Sequence, residues 1–85
     1  MENKAYLIKD ISEYGKLIAF CIDYDITVFR TYWDEREKGK RVYEISFSAC
    51  RCFYGTQEYY LSNGYEIIEP EFYLDEFGTY QIREN

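Results

Sequence analysis

The sequence predicts an α+β fold in which one main α-helix packs on a mainly antiparallel or mixed sheet of roughly five to six short strands. Residues 42–48 alternate apolar and polar side chains, which is the period of a strand with one buried face. From residue 49 to residue 62 the apolar side chains recur at helical spacing and leave only a narrow polar side. The 85 residues suffice for a single small domain, residues 1–85.

Further strands are predicted ahead of this central unit. Residues 5–11 alternate loosely and form a first strand, followed by a turn at residues 13–15. Residues 16–22 are apolar on both faces, which suits a central strand that is covered on both sides. Residues 26–33 form a third strand, and the hydrophilic residues 34–41 then make a solvated hairpin loop.

The predicted helix at residues 49–62 contains a glycine that leaves an alternative open. Phe53 lies on the apolar arc and is expected in the core, but Gly55 costs about 1 kcal/mol relative to alanine in a helix. The chain could instead break there, with Thr56 capping a shorter helix. In either case residues 63–64, Asn-Gly, end the helix, and Tyr65 packs back on its last turn.

The last part of the chain reads as a strand and a hairpin. Residues 65–68 return to a strand, either as a parallel crossover or as an antiparallel partner of residues 42–48. Pro70 lacks a backbone donor and predicts an edge or a strand break. Residues 72–74 and 79–82 then pair across a turn that contains Gly78.

Composition argues against most catalytic chemistry. The chain has no histidine, which excludes His-based triads and His-ligated metals, and its five glycines are scattered rather than gathered in a phosphate-binding loop. The acidic pairs Asp23/Asp25 and Asp34/Glu35 are better explained as solvated turns. We therefore expect no enzyme, no cofactor and no metal.

The cysteines and the N-terminal region indicate in which cellular compartment the protein is located. Three cysteines, an odd count, argue against a disulfide framework and fit a reducing compartment. The N-terminal residues lack the charged-then-apolar pattern of a signal peptide, and no apolar run is long enough to span a membrane. The sequence predicts a cytoplasmic protein without membrane contact.

Charge is the strongest functional clue, because it is distributed unevenly. The net charge is −6, and residues 66–85 contribute six carboxylates against the single basic residue Arg83. A basic segment does exist at residues 36–41, near Tyr32 and Trp33, but acids interleave with it. An acidic domain lacks the broad basic field that nucleic-acid binding needs, so we expect no direct binding of nucleic acid.

Carboxylates interleaved with aromatic residues predict a surface that binds a protein. We expect a small acidic inhibitor of a basic partner, such as a nuclease or another nucleic-acid-binding protein, whose groove the carboxylates attract as a nucleic-acid strand would. The partner-binding residues are expected to be Glu66, Glu69, Glu71, Tyr73, Asp75, Glu76 and Phe77. Phage anti-CRISPR proteins, antitoxins and immunity proteins share this size and charge, although no motif links the chain to any of them.

The abundance of tyrosine leaves a second function open. Eleven tyrosines and six phenylalanines are more than so small a core can hold, so several should lie at the surface. They could line a pocket for a small ligand or a nucleotide, formed within one chain or between the protomers of a homodimer. The alternative prediction is therefore a ligand-sequestering module.

Overall fold

The computed structural model describes residues 3–29, 33 and 41–84, and these residues adopt the α+β fold that the sequence predicts. The elements are β1 (Lys4–Ile8), α1 (Ile11–Asp23), β2 (Thr27–Val28), β3 (Arg41–Ser46), β4 (Arg51–Gly55), α2 (Gln57–Ser62), β5 (Ile67–Ile68), β6 (Pro70–Leu74) and β7 (Tyr80–Glu84). Five strands form a mixed sheet in the order β2-β4-β3-β1-β5, and β6 pairs with β7 in a separate two-stranded sheet.

Pairing directions explain why the larger sheet is mixed. Strand β3 lies at its centre and is antiparallel to both β1 and β4. The short outer strands are parallel to their neighbours, β5 to β1 and β2 to β4. The sheet therefore has two short edges of two residues each, which limits the backbone that is open to further strand pairing.

The main helix is α1, and here the prediction of a strand at residues 16–22 is wrong. Asp10 caps the helix by accepting a hydrogen bond from the backbone N–H of Glu13, whose own side chain accepts one from Lys9. A continuous apolar run has no period of its own, so it fits a doubly covered strand and a helix equally well. In α1 the side chains of this run lie on different faces of the helix, so that Leu17 is fully buried whereas Ile22 is 69% exposed.

The larger core lies between α1 and one face of the sheet. It contains Tyr6, Ile8, Tyr14, Leu17, Phe20, Cys21, Ile26, Tyr43, Ile45 and Cys52. The predicted strand at residues 42–48 is confirmed up to Ser46 as β3, whose Tyr43 and Ile45 are buried on this face, whereas residues 47 and 48 belong to the turn that follows. The opposite face is covered in part by α2, where Tyr60 packs on Ala5, Leu7 and Val42.

The prediction of one helix over residues 49–62 is wrong in its first half. Residues 47–50 form a turn in which Cys50 has φ 55°, and β4 then returns antiparallel to β3. Hydrogen bonds to the neighbouring strand outweigh the helical spacing of the side chains, and Phe53 is left 39% exposed. The alternative of a shorter helix is confirmed, because Thr56 caps α2 by accepting from the N–H of Tyr59.

The end of α2 follows the sequence signals. Asn63 is the C-cap, and Gly64 adopts φ 78°, a conformation that costs glycine little. The backbone N–H of Tyr65 donates to the carbonyl of Tyr60 at 3.0 Å, and the two rings pack edge to face with centroids 4.9 Å apart. The predicted stop and the return of Tyr65 onto the last turn are both confirmed.

The remaining elements differ from the predictions mainly in length. The first strand ends at Ile8 rather than residue 11, because Asp10 already begins the cap of α1. Residues 30–32 of the predicted third strand and residues 34–40 of the predicted loop lie outside the described residues. The predicted hairpin is confirmed as β6 and β7, with Pro70 as the first residue of β6.

Two glycine substitutions should change stability in opposite directions. An added Cβ at Gly15, within α1, meets no atom within 4 Å, so Gly15→Ala should raise the free energy of unfolding by about 1 kcal/mol. At Gly55 a Cβ would lie 3.0 Å from Cε2 of the buried Tyr60, so Gly55→Ala should lower it. Urea denaturation measures both, and a continuous helix over residues 49–62 would instead make both substitutions stabilising.

Candidate functional site

The β6–β7 hairpin carries most of the residues that the sequence assigns to partner binding. Phe72 lies opposite Ile82 on its inner face, and both pack against the core beside α1. Tyr73 lies opposite Gln81 on the outer face. The hairpin is thus anchored by one apolar face and presents the other, which is what a rigid binding surface requires.

On the outer face, Glu71 and Tyr73 both contact Arg83. The Arg83 guanidinium donates to a Glu71 carboxylate oxygen at 3.0 Å, and its Cζ lies 4.4 Å from the centroid of the Tyr73 ring. These are cross-strand contacts of an antiparallel pair, and they compensate much of the charge of Glu71. The face of the hairpin is therefore less acidic than its composition alone indicates.

Asp75 holds the turn together. One of its carboxylate oxygens accepts from the backbone N–H groups of Phe77 and Thr79, both at 2.9 Å, and the other accepts from the Gln81 amide at 3.0 Å. The Thr79 N–H, followed by the Phe77 N–H and the Gln81 amide, lowers the pKa of Asp75. Its carboxylate is engaged within the hairpin.

The tip of the hairpin exposes apolar surface beside a carboxylate. Phe77 is 84% exposed, and Leu74, the last residue of β6, is also exposed. Glu76 precedes Phe77 and is exposed as well. A large aromatic side chain held in solvent by an ordered turn has the properties of an interface anchor.

Glu66 and Glu69 lie at the other end of the hairpin, where β5 leads into β6. Glu69 and the turn are separated by β6, roughly 20 Å at the rise of an extended strand. The seven predicted residues are therefore spread along the hairpin rather than gathered at one point. Within the described residues, the carboxylates of Glu66, Glu69 and Glu76 form no hydrogen bond or ion pair.

The structure also forms a cleft that the sequence analysis did not find. It has a volume of about 470 Å³ and lies between the end of α1, the β3–β4 turn and β7. The lining residues are Tyr6, Phe20, Tyr24, Ile26, Phe47, Cys50, Gln81 and Ile82. They come from separate segments of the chain, so the high content of aromatic residues was the only signal available in the sequence.

Polar groups at the cleft are arranged by two hydrogen-bonded pairs. The Tyr6 hydroxyl donates to the Glu84 carboxylate at 3.2 Å, and burial followed by the charge of Glu84 raises the pKa of Tyr6. The Tyr24 hydroxyl and the Gln81 amide contact each other at 2.7–2.9 Å. Because Gln81 also donates to Asp75, the cleft is linked to the turn of the hairpin.

A second aromatic surface lies on the opposite face of the sheet. Phe29 and Phe53 stack with ring centroids 4.9 Å apart and an interplanar angle of 5°, and both are exposed. Phe53 belongs to β4 and Phe29 directly follows β2, which is parallel to β4. The stacked pair adds apolar surface to this face.

No protein-family model matches the chain, and comparisons with curated proteins and with solved structures give no match either. Among residues 3–29, 33 and 41–84, no group of three or more His, Cys, Asp or Glu side chains could hold a metal ion. Over the same residues, no helix is long and apolar enough to cross a membrane.

The turn between β6 and β7 should lose stability in acid, because the folded protein lowers the pKa of Asp75. Since the folded protein lowers this pKa below its usual value near 4, the stabilisation is complete above about pH 4 and is lost as pH falls through the folded value. The protection factors of the Phe77 and Thr79 amides, which correct for the intrinsic exchange rate at each pH, should therefore fall in that acidic window more than those of amides in β3. In Asp75→Asn this acid-dependent fall should disappear, and an unchanged acid response in that variant would contradict the assignment.

Proposed function

We propose that this protein is a non-catalytic interaction protein that inhibits a basic, nucleic-acid-binding partner through its β6–β7 hairpin. The observation that carries the proposal is the exposed hairpin tip, where Phe77 is 84% exposed beside Glu76. Glu69 and Glu66 extend the same acidic segment toward β5 and have no cationic partner within the described residues. A cytoplasmic location belongs to the same proposal, because such partners act there.

Two physical effects would act in sequence during binding. Carboxylates without cationic partners create a negative field that accelerates the encounter with a basic surface. Burial of Phe77 and its apolar neighbour Leu74 would then supply the short-range attraction that slows dissociation. The hairpin needs little reorganisation on binding, since Asp75 already orders the turn and the inner face is packed.

The test is a charge reversal on the hairpin with a control of equal charge elsewhere. Glu69→Lys with Glu76→Lys changes the net charge by four units, as does Gln57→Lys with Glu58→Lys and Ser62→Lys on α2. All five positions are exposed, so both variants should fold. Pull-down from the native host should capture a basic nucleic-acid-binding protein with the wild type and the α2 variant. The hairpin variant should lose it by roughly tenfold or more.

Several results would contradict this proposal. Equal capture by both variants would show that total charge, or another surface, carries the interaction. Capture that does not weaken with rising salt would remove the electrostatic part, because exposed charges are screened within about 8–10 Å at physiological salt. A third variant, Phe77→Ala, should increase the dissociation rate while leaving the association rate nearly unchanged.

The cleft supports a second candidate function, the binding of a small ligand. Its volume of about 470 Å³ falls within the range of small-molecule pockets, roughly 300–1,000 Å³. A nucleotide is a poor fit, because the lining residues that the structure describes include no basic side chain to hold a phosphate. A neutral or cationic molecule with an apolar body fits the lining better.

A further inference from the structure

The cleft beside the hairpin has aromatic residues in its lining. Four of its lining residues are aromatic: Tyr6, Phe20, Tyr24 and Phe47. The Phe20 and Tyr24 rings pack with centroids 4.7 Å apart and form one wall at the end of α1. Aromatic faces carry negative electrostatic potential, so several of them around one cavity favour a cation with an apolar body.

Two of the polar lining residues are hydrogen-bonded to carboxylates. Glu84 accepts a hydrogen bond from the Tyr6 hydroxyl at 3.2 Å, and Asp75 accepts one from the Gln81 amide at 3.0 Å. Both bonds place negative charge next to the cleft. Among the described residues, Lys4 pairs with Glu84 at 3.5 Å and compensates part of its charge, but Lys4 does not line the cleft. The carboxylates beside the cleft therefore favour a cation over an anion.

We infer that this cleft binds an arginine side chain of the basic partner. This inference rests on the function proposed above. The planar guanidinium would stack on the aromatic walls, and its N–H groups would donate to the Tyr24 hydroxyl and the Gln81 amide oxygen. The alkyl stem would pack on Ile26 and Ile82. Because Gln81 and Ile82 belong to β7, the cleft and the acidic hairpin would bind one partner as a continuous surface.

Arginine fits this cleft better than lysine. A guanidinium is more weakly hydrated than an ammonium group and can stack flat against a ring while it donates in its plane. The aromatic lining offers stacking surfaces, and within the described part of the lining there is no carboxylate that would pair with a compact ammonium group. Nα-acetyl-lysine amide, which keeps its charged ε-ammonium group, should therefore bind more weakly than Nα-acetyl-arginine amide.

The inference can be tested without the partner. Nα-acetyl-arginine amide is titrated into the full chain, with the uncharged isostere Nα-acetyl-citrulline amide as the matched probe. The Ile26 and Ile82 methyl NMR signals should shift in a saturable manner with arginine at concentrations up to about 20 mM, the weak affinity expected of a single side chain. Citrulline should bind roughly fivefold or more weakly, since it lacks the cation–π attraction.

Two substitutions at one position locate the site. Tyr24 is 48% exposed, so Tyr24→Ala should leave the fold intact and weaken binding of the arginine amide roughly fivefold. Tyr24→Phe retains the ring and should stay within about twofold of the wild type if stacking dominates. Tyr59→Ala removes a tyrosine of similar exposure on α2 and should leave binding unchanged.

The outcomes separate this inference from the function on which it rests. If the hairpin charge reversal abolishes partner capture but neither arginine nor citrulline amide shifts the Ile26 and Ile82 signals, the cleft inference is wrong and the proposed function stands. If the arginine amide binds but no basic partner is captured, the proposed function fails instead. Equal binding of arginine and citrulline amides, or stronger binding of a nucleotide such as ATP, would overturn the preference for a cation.

Discussion

Leu17→Ala is expected to lower the free energy of unfolding by about 3–5 kcal/mol, one of the two largest losses anticipated for a single substitution in this protein. Leu17 is fully buried on the face of α1 that packs against the sheet. Removing its side chain costs the transfer free energy of the lost carbons, and the cavity that remains adds to the loss. In so small a domain this approaches the whole stability. Urea denaturation followed by circular dichroism measures the change.

Ile22→Ala is the matched control. Ile22 belongs to the same apolar run but is 69% exposed, so its truncation should cost less than about 0.5 kcal/mol. A central strand at residues 16–22, as the sequence suggests, would bury both side chains and make the two losses similar. The difference between the variants therefore tests the helix itself as well as the packing of Leu17.

Tyr60→Ala should cost about 3–5 kcal/mol and should unfold α2 locally. Tyr60 is 2% exposed and is the residue of α2 that packs on Ala5, Leu7 and Val42. A helix of six residues is far too short to persist without tertiary contacts. Its amide protons should therefore exchange much faster in this variant.

Two further variants test how much the ring and the hydroxyl of Tyr60 each contribute to the free energy of unfolding. Tyr60→Phe keeps the buried ring but removes the hydroxyl, which interacts with the charge of Glu44, and should cost about 1–3 kcal/mol. Leu61→Ala changes a residue that is 58% exposed and should cost less than about 0.5 kcal/mol. A loss for Tyr60→Phe as large as that for Tyr60→Ala would mean that ring burial contributes nothing.

Glu44 carries the charge that acts on the hydroxyl of Tyr60. Its carboxylate accepts from the Tyr65 hydroxyl at 3.1 Å and from the Asn3 amide at 2.7 Å. Burial, followed by the charge of Glu44, raises the pKa of Tyr60, and the hydrogen bond to the same carboxylate raises the pKa of Tyr65. The carboxylate thus accepts from two donors, and these bonds connect β3 to the N-terminal segment and to Tyr65, which follows α2.

Sequence information was sufficient for several elements that depend on neighbours along the chain. Alternation predicts β3, and Asn63-Gly64 predicts the end of α2. The hairpin follows from alternating residues on either side of a turn with Gly78 at φ 78°. The acidic character of residues 66–85 is also visible in the sequence, although the structure shows that Glu71 and Asp75 are engaged within the hairpin.

The sequence by itself thus determined the α+β class, the hairpin and the uneven charge, because each is set by local spacing or composition. Tertiary structure decided that residues 17–22 are helical, because a continuous apolar run fits a buried strand as well as a helix. It also decided that residues 51–55 form a strand, because their side-chain spacing fits a helix but their backbone pairs with β3. It alone also decided the aromatic cleft, whose walls are brought together from distant segments by the pairing of strands and the docking of α1.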